Sequence, residues 1–402
     1  MSPIERNRWG VVVAYAALGA ATQVLWLTFA PITTATAEHY GVSEGAVGWL
    51  AEIFPLLYVV LAVPAGMALD RWFVPMLRAG AALTAAGALL RLGGDSFGWA
   101  LGGQLLVAIA QPLVLNAVTK LAGEYVAPAA RPAAISLGLG GTFVGLLLGL
   151  LLGPALGSAT DLRALLLTEA AVAVLAATAL WMALRSRPAG AAAIERPIGL
   201  HELRTVWDDR FIRALCVLAF VGFGVFIALT TWLQGLLEPF GVSAGTAGAM
   251  LAAAVVAGVA TTTWLPAAAA RNGAERTVLA AALLACVVCC AVLAGARAPA
   301  AQFVFVAAIG AVVLPALPVL LELAERRAGS AGASAAALLW LAGNLGGIAL
   351  AVPVGALVHH AALAFGLLAL AAAAGLPFAW RLRSPGGALA LGDAIVAAEA
   401  RE

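Results

Sequence analysis

Charge is scarce in this chain: Asp, Glu, Lys and Arg together make up 10% of it, against 63% hydrophobic residues. A soluble particle of 402 residues needs far more polar surface than that to face water. Cysteine is sparse too. Cys216, Cys286, Cys289 and Cys290 fall in apolar stretches, and no His, Asp or Glu stands near the three that cluster, so packing is expected there rather than a metal site. The four histidines, His39, His201, His359 and His360, lie in loops or at helix ends. With no Ser/His/Asp set and no paired carboxylates, neither an enzyme nor a cofactor is expected. A net charge of +2 without a basic patch implies no nucleic-acid partner. No cleavable leader is expected, because the first apolar run, from Trp9, is too long for one and is read as a span.

What the chain does have is apolar length. Crossing the hydrocarbon core takes about 20 residues of helix, and with a mean hydropathy of +1.02 the chain offers such runs near 9–33, 46–70, 73–94, 97–122, 132–156 and 162–185. A second six follow near 211–237, 244–270, 275–296, 298–323, 331–358 and 360–383. The expected fold is therefore an all-α integral membrane protein with twelve transmembrane helices, numbered here as spans 1–12, and the lipid bilayer is its first partner.

Residues 40–50, Tyr40-Gly-Val-Ser-Glu-Gly-Ala-Val-Gly-Trp-Leu, return 200 residues on as Phe240-Gly-Val-Ser-Ala-Gly-Thr-Ala-Gly-Ala-Met. The chain is a duplication. An even number of spans precedes the second copy, so the two six-helix bundles are parallel repeats of one orientation. The reading divides the chain into a bundle at 1–185, a cytoplasmic linker at 186–210 with Pro188 and Pro197, a second bundle at 211–383 and a tail at 384–402. Of the 22 Lys and Arg, all but Arg91, Arg163 and Arg297 fall at the termini and the even-numbered connections. By the positive-inside rule both termini are cytoplasmic in a multi-pass protein of the plasma membrane. Nothing requires more than a monomer.

Twelve helices in two parallel halves with a basic central linker resemble the major facilitator superfamily. Gly66-Met-Ala-Leu-Asp70-Arg71 is similar to that family's G-x-x-x-D-R element after span 2. The resemblance implies that Gly66 permits close helix approach and that Asp70 and Arg71 hold a cytoplasmic gate. The matching loop of the second half carries only Arg271, Asn272, Gly273, Glu275 and Arg276, so gate stabilisation is expected mainly in the first half. Gly141, Gly145, Gly149, Gly153 and Gly157 form a four-residue ladder in span 5, and Gly149-x-x-x-Gly153-Pro154-x-x-Gly157 resembles the motif of drug/proton antiporters in the same superfamily. Close packing of another backbone is the favoured reading of the ladder, since such ladders are common in tight bundles.

A second resemblance covers most of the chain. Trp26 ahead of Tyr40-Gly41-Val42, Trp49-Leu50, Leu69-Asp70, Gly103-Gln104, Ala110-Gln111 and Glu322-Leu323 are similar to the feline leukaemia virus subgroup C receptor-related family. Its members carry choline, ethanolamine or, by an older proposal, haem. The resemblance implies that Trp26 faces a quaternary amine and that Gln111 lies nearby. The chain departs from the family at span 7, where Ile227 or Phe226 replaces a tyrosine, at Asn344 in place of a glutamine, and at Thr142-Phe143 in place of Asn-Gln.

The repeat offset reaches overlapping positions by itself. It pairs Trp26 with Phe226 across the pseudo-twofold, where aromatic faces can enclose a cation at about 0.5–2 kcal/mol per contact; packing or lipid-facing aromatics is the competing reading. Gln111, Asn116 and Asn344 are amides inside spans, fit either to hold a small polar solute or to bond helix to helix. Glu52, about 9 Å along span 2, is the coupling candidate, either as a proton carrier or as an attraction for a cationic substrate, with solvation in an outer vestibule as the alternative. Glu169 and Glu238 read as solvated outer charges. Lys120 and Glu322, near-equivalent in the repeat, are candidates for a cytoplasmic latch. Together these features predict a secondary-active or facilitative transporter of a small organic solute by alternating access, with a central cavity between the halves and an amine or quaternary ammonium compound as the indicated cargo. The alternatives are a proton-coupled drug or metabolite efflux antiporter and, less favoured, a membrane receptor without transport.

Overall fold

The computed structural model describes residues 7–127, 130–186 and 200–382. Twelve helices among them are long and apolar enough to cross a membrane, and they match the twelve sequence runs in order. The chain divides into two compact units, Met1–Pro197 and Ile198–Glu402.

The first unit contains α1 (Trp9–Leu27), α2 (Thr33–Tyr40), α3 (Glu44–Arg71), α4 (Phe73–Leu90), α5 (Phe97–Leu115), α6 (Val118–Tyr125), α7 (Arg131–Leu156) and α8 (Arg163–Ala183). The second contains α9 (Leu200–Asp208), α10 (Arg210–Leu237), α11 (Ala244–Thr262), α12 (Leu265–Asn272), α13 (Glu275–Gly295), α14 (Pro299–Val313), α15 (Ala316–Ala328), α16 (Gly332–Ala356) and α17 (Ala361–Arg381). Two boundaries differ from expectation. Span 1 does not stop near residue 33 but turns through a short 3-10 segment and runs on as α2 to Tyr40. The stretch 186–210 is not wholly extended linker, because α9 occupies its end. Residues 187–199, with Pro188 and Pro197, and the tail 384–402 lie outside the described residues.

Inside each unit the helices pair in the same pattern. α1 packs on α7 and α8, α3 and α4 on α5, and α4 on α8; correspondingly α10 packs on α16 and α17, α11 and α13 on α14, and α13 on α17. The repeated sequence is the hinge of this pattern. Gly41 and Gly241, at φ +64° and +80°, take the left-handed conformation that ends a helix, which costs a glycine nothing. Two residues later Ser43 and Ser243 begin α3 and α11, their hydroxyls accepting from the amides of Ala46 and Thr246 at 3.2 Å each. Gly-Val-Ser is thus a stop signal followed at once by a start signal.

The glycine ladder of α7 lies against α1. A Cβ on Gly141 or Gly145 would run into the backbone of Ala16 or Ala20, one on Gly149 would sit 3.2 Å from Val24 Cα, and one on Gly153 2.9 Å from Pro31. Gly157 closes the series against Ile32 at 2.7 Å. The second unit repeats the device on the partner helix pair, with Gly346 against the backbone of Phe220. Close packing accounts for the ladder.

Prolines inside spans leave carbonyls with no helical donor, and in a membrane those must be met from elsewhere. Pro55 strips the Ala51 carbonyl, which accepts the indole N–H of Trp26 at 3.0 Å. Pro315, between α14 and α15, strips the Ala311 carbonyl, which accepts the Thr261 hydroxyl at 2.8 Å.

Candidate functional site

In the first unit, Gly19, Gln23 and Trp26 share one stripe of α1, since residues four and three apart stack on a helix face. Trp26 is buried, its N–H is spent on Ala51, and its ring lies 6.3 Å from that of Phe54. What remains for a ligand is the indole π face. On α5, Gln104 is fully enclosed and donates to the Leu25 carbonyl of α1 at 3.0 Å and the Leu50 carbonyl of α3 at 3.2 Å. Gln111, two turns along, lies on the same stripe and therefore also turns toward α1 and α3. It is buried yet makes no hydrogen bond among the described residues. Gln23 is in the same condition: both amides are 4% exposed and both are open. Neither amide is among the fully shut-off polar atoms, so each presents its N and O to a narrow opening where a solute or water can meet them.

Asn116 differs. Its oxygen accepts from the Tyr58 hydroxyl at 2.7 Å and its nitrogen donates to the Ala62 carbonyl at 3.0 Å, so it ties the end of α5 to α3. Its amide acts as glue between helices, at the break that follows Pro112.

In the second unit Phe226 is buried and stacks on Phe223 at 6.4 Å, and Phe223 meets Trp340 edge-on at 5.8 Å. Asn344, one turn beyond Trp340 on α16, donates to the Trp340 carbonyl at 2.9 Å, and its oxygen accepts no hydrogen bond among the described residues. Phe226 therefore sits in an aromatic cluster bordered by one amide.

The charged candidates fall at the ends of spans, with Glu52 as the exception. Glu52 is 1% exposed and adjoins Ala51, the carbonyl that holds Trp26. At the other end of α3, Lys120, the chain's only lysine, caps the helix by donating to the carbonyls of Leu69 and Asp70 at 3.0 and 2.9 Å, with the Asp70 carboxylate at 3.5 Å. Arg71 lies over the Trp72 ring at 4.7 Å. Among the described residues of the first unit, nothing stands within 4 Å of where a Gly66 Cβ would be. Glu322 approaches Arg326 on its own helix at 3.9 Å. Among the described residues the second unit also pairs charges at helix ends, Arg326 with Glu275, and Arg327 with Asp209 at 2.7 Å.

Glu169 corrects another expectation. It is not solvated but fully enclosed, paired with Arg91 at 3.0 Å, while the Thr28 hydroxyl links both at 2.8 and 2.9 Å. Sequence reasoning passed over this pair, and also Gln23, Phe223 and Trp340. Gln23 had a usable signal, as a polar residue inside a span three positions from Trp26. The Arg91–Glu169 pair had none, because 78 residues separate its members.

Residues 11–351 match the family model described as Major Facilitator Superfamily. Among curated proteins, the chain is 31% identical to "Solute carrier family 49 member A3" of Danio rerio over 61% of this chain and 55% of that one. It is 27% identical to "Choline/ethanolamine transporter FLVCR2" of Homo sapiens over 30% of this chain and 24% of that one. The chain thus spans about half, or less, of the curated relatives it matches. In fold it is similar to a bacterial homologue of the human lysosomal transporter Spinster, solved inward-facing and unoccupied. That match has a TM-score of 0.74 and 16% identity, covering 93% of each chain.

Proposed function

The chain belongs to the major facilitator superfamily, and from that premise we propose that it carries a small organic cation or zwitterion across a membrane by alternating access, recognising its cargo with the Trp26 π face and the open amides of Gln23 and Gln111. The observation that carries this reading is the state of those two glutamines: each is 4% exposed, on a helix face shared with Trp26 or Gln104, and makes no hydrogen bond among the described residues. A cargo with a cationic head and a polar arm satisfies both kinds of group at once, the aromatic face by cation–π attraction and the amides by hydrogen bonding. Phe226 and Asn344 are the corresponding groups of the second unit. Asn116 moves from cargo contact to helix glue. The name of the human relative, a choline/ethanolamine transporter, supports amines of that size as the first class to test.

The proposed setting is the plasma membrane with both termini cytoplasmic, on the distribution of arginine. No larger assembly than a monomer is invoked. The direct test is uptake of labelled quaternary and primary amines into vesicles reconstituted with the full chain. Saturable flux above that of empty vesicles supports the proposal, and binding without flux would make the protein a receptor.

A second reading rests on Glu52, an almost fully enclosed carboxylate two turns inside a span. Such groups mark proton relays in membrane proteins. Under it the protein exchanges cargo for protons, and flux collapses when the proton gradient is dissipated; facilitated transport of the amine persists.

A further inference from the structure

His39 closes the last turn of α2 with both ring nitrogens engaged. Nε2 lies 2.7 Å from a carboxylate oxygen of Asp95, on the α4–α5 connection, and Nδ1 lies 3.1 Å from the Ala159 carbonyl, on the α7–α8 connection. A carboxylate and a carbonyl oxygen only accept hydrogen bonds. A neutral imidazole carries a single N–H and can serve one of them; an imidazolium carries two and serves both. Both contacts can be hydrogen bonds at once only when the ring carries two N–H groups.

The side chain is 11% exposed, so water reaches it. The titratable and charged groups around it are few. Asp95 faces it directly, and Tyr40 meets it edge-on at 4.8 Å. Glu38 on its own helix is exposed, and Arg91, before Asp95, is committed to Glu169. On the α7–α8 side Asp161 turns its carboxylate to the Arg163 amide at 2.6 Å. That connection is itself a closed turn, with Ser158 and Asp161 exchanging backbone hydrogen bonds at 3.0 and 3.3 Å.

The duplication supplies an internal comparison. Tyr40 packs on Phe97 at 6.1 Å, and the repeat-related residues are Phe240 and Arg297, whose cation–π contact is 4.8 Å. Both units tie the end of their first span to the start of their fourth at these positions. Only the first unit adds a titratable pair, because Pro239 and Gly295 stand where His39 and Asp95 would be.

We propose that His39 is a proton-binding site that straps the end of α2 to both the α4–α5 and α7–α8 connections when occupied, and lets the α7–α8 turn go when the proton leaves. The remaining N–H stays with Asp95, since a hydrogen bond to a carboxylate is stronger than one to a carbonyl. The strap is a regulatory contact of one half, set by the pH of the water at that face, and does not depend on what the cargo is.

Amide hydrogen exchange of the full chain in lipid nanodiscs tests this, comparing wild type, His39→Gln and Asp95→Asn at about pH 5.5 and about pH 8. Comparing proteins at equal pH cancels the pH dependence of the chemical exchange step. At the lower pH the turn at 157–162 should exchange about fivefold more slowly in the wild type than in His39→Gln, the net worth of one hydrogen bond. At the higher pH the two should agree within about twofold, and Asp95→Asn should show no such pH response. Equal exchange at the lower pH, a difference of the same size at both pH values, or a wild-type response in Asp95→Asn would each overturn the proposal.

Discussion

Arg91 and Glu169 meet at 3.0 Å with neither side chain exposed to solvent, and Thr28 bonds to both where α1 gives way to the 3-10 turn before α2. Two opposite charges withdrawn from water are tolerable only together. Removing one, by Arg91→Leu or Glu169→Leu, leaves the other buried and uncompensated at a cost of about 3–5 kcal/mol. Replacing both by apolar residues should recover most of that loss. Thermal unfolding of the purified single and double variants measures it; a double variant no more stable than the worse single one would contradict this account.

Within α7, Gly145 and Gly140 should respond in opposite ways to the same substitution. Gly145→Ala forces α7 off α1, because its new methyl meets the Ala20 backbone, whereas a methyl on Gly140 meets nothing within 4 Å. Gly140→Ala should hold or raise the melting temperature, since alanine favours helix by about 0.5–1 kcal/mol over glycine. Gly145→Ala should lower it by several degrees, and equal behaviour of the two would refute the packing assignment.

Gln23 and Gln111 should separate stability from recognition. If their amides are kept for cargo, Gln23→Leu and Gln111→Leu remove no hydrogen bond of the empty protein and leave its melting temperature unchanged or higher. The same variants should lose affinity for the amine that the wild type carries. Loss of stability in both variants would assign the amides to the fold instead.

Asp209 starts α10, its carboxylate accepting from the amides of Phe211 and Ile212 at 2.7 and 3.1 Å and pairing with Arg327. Against the desolvation that burial imposes, the hydrogen bonds from Arg327 and from those amides hold the Asp209 carboxyl below the ordinary aspartate range. A depressed folded value means that the stabilisation is complete above the unfolded value of about 3.9 and fades as pH falls through the folded one. Asp209→Asn should therefore lower the melting temperature near neutral pH and converge on the wild type in strong acid. A gap that stays constant down to about pH 2 would count against the linkage.

Much of the fold was legible because membrane insertion leaves strong marks in sequence, namely apolar runs of fixed length, and because Gly-Val-Ser occurs twice. The two copies gave the duplication, while the left-handed glycine and the capping serine they carry emerged only in the structure. Local signals stopped at contacts between distant segments. That Ala51 needed a donor follows from Pro55, but that Trp26 supplies it depends on how α1 meets α3. Asn116 and Gln111 look alike as intramembrane amides, and only the presence of Tyr58 and Ala62 beside one of them distinguishes glue from an open group. Glu169 read as an outer charge because its partner comes from the end of another span.

The account stands most directly on the π face of Trp26. Equilibrium binding of a labelled quaternary ammonium probe to the purified full chain should be compared between wild type, Trp26→Phe and Trp26→Ala. Trp26→Phe keeps a weaker aromatic face and should bind with modestly reduced affinity, while Trp26→Ala should lose about 2- to 30-fold, the worth of one cation–π contact. Affinity unchanged in Trp26→Ala, in protein shown to be folded, would contradict the assignment of this residue to the cargo site.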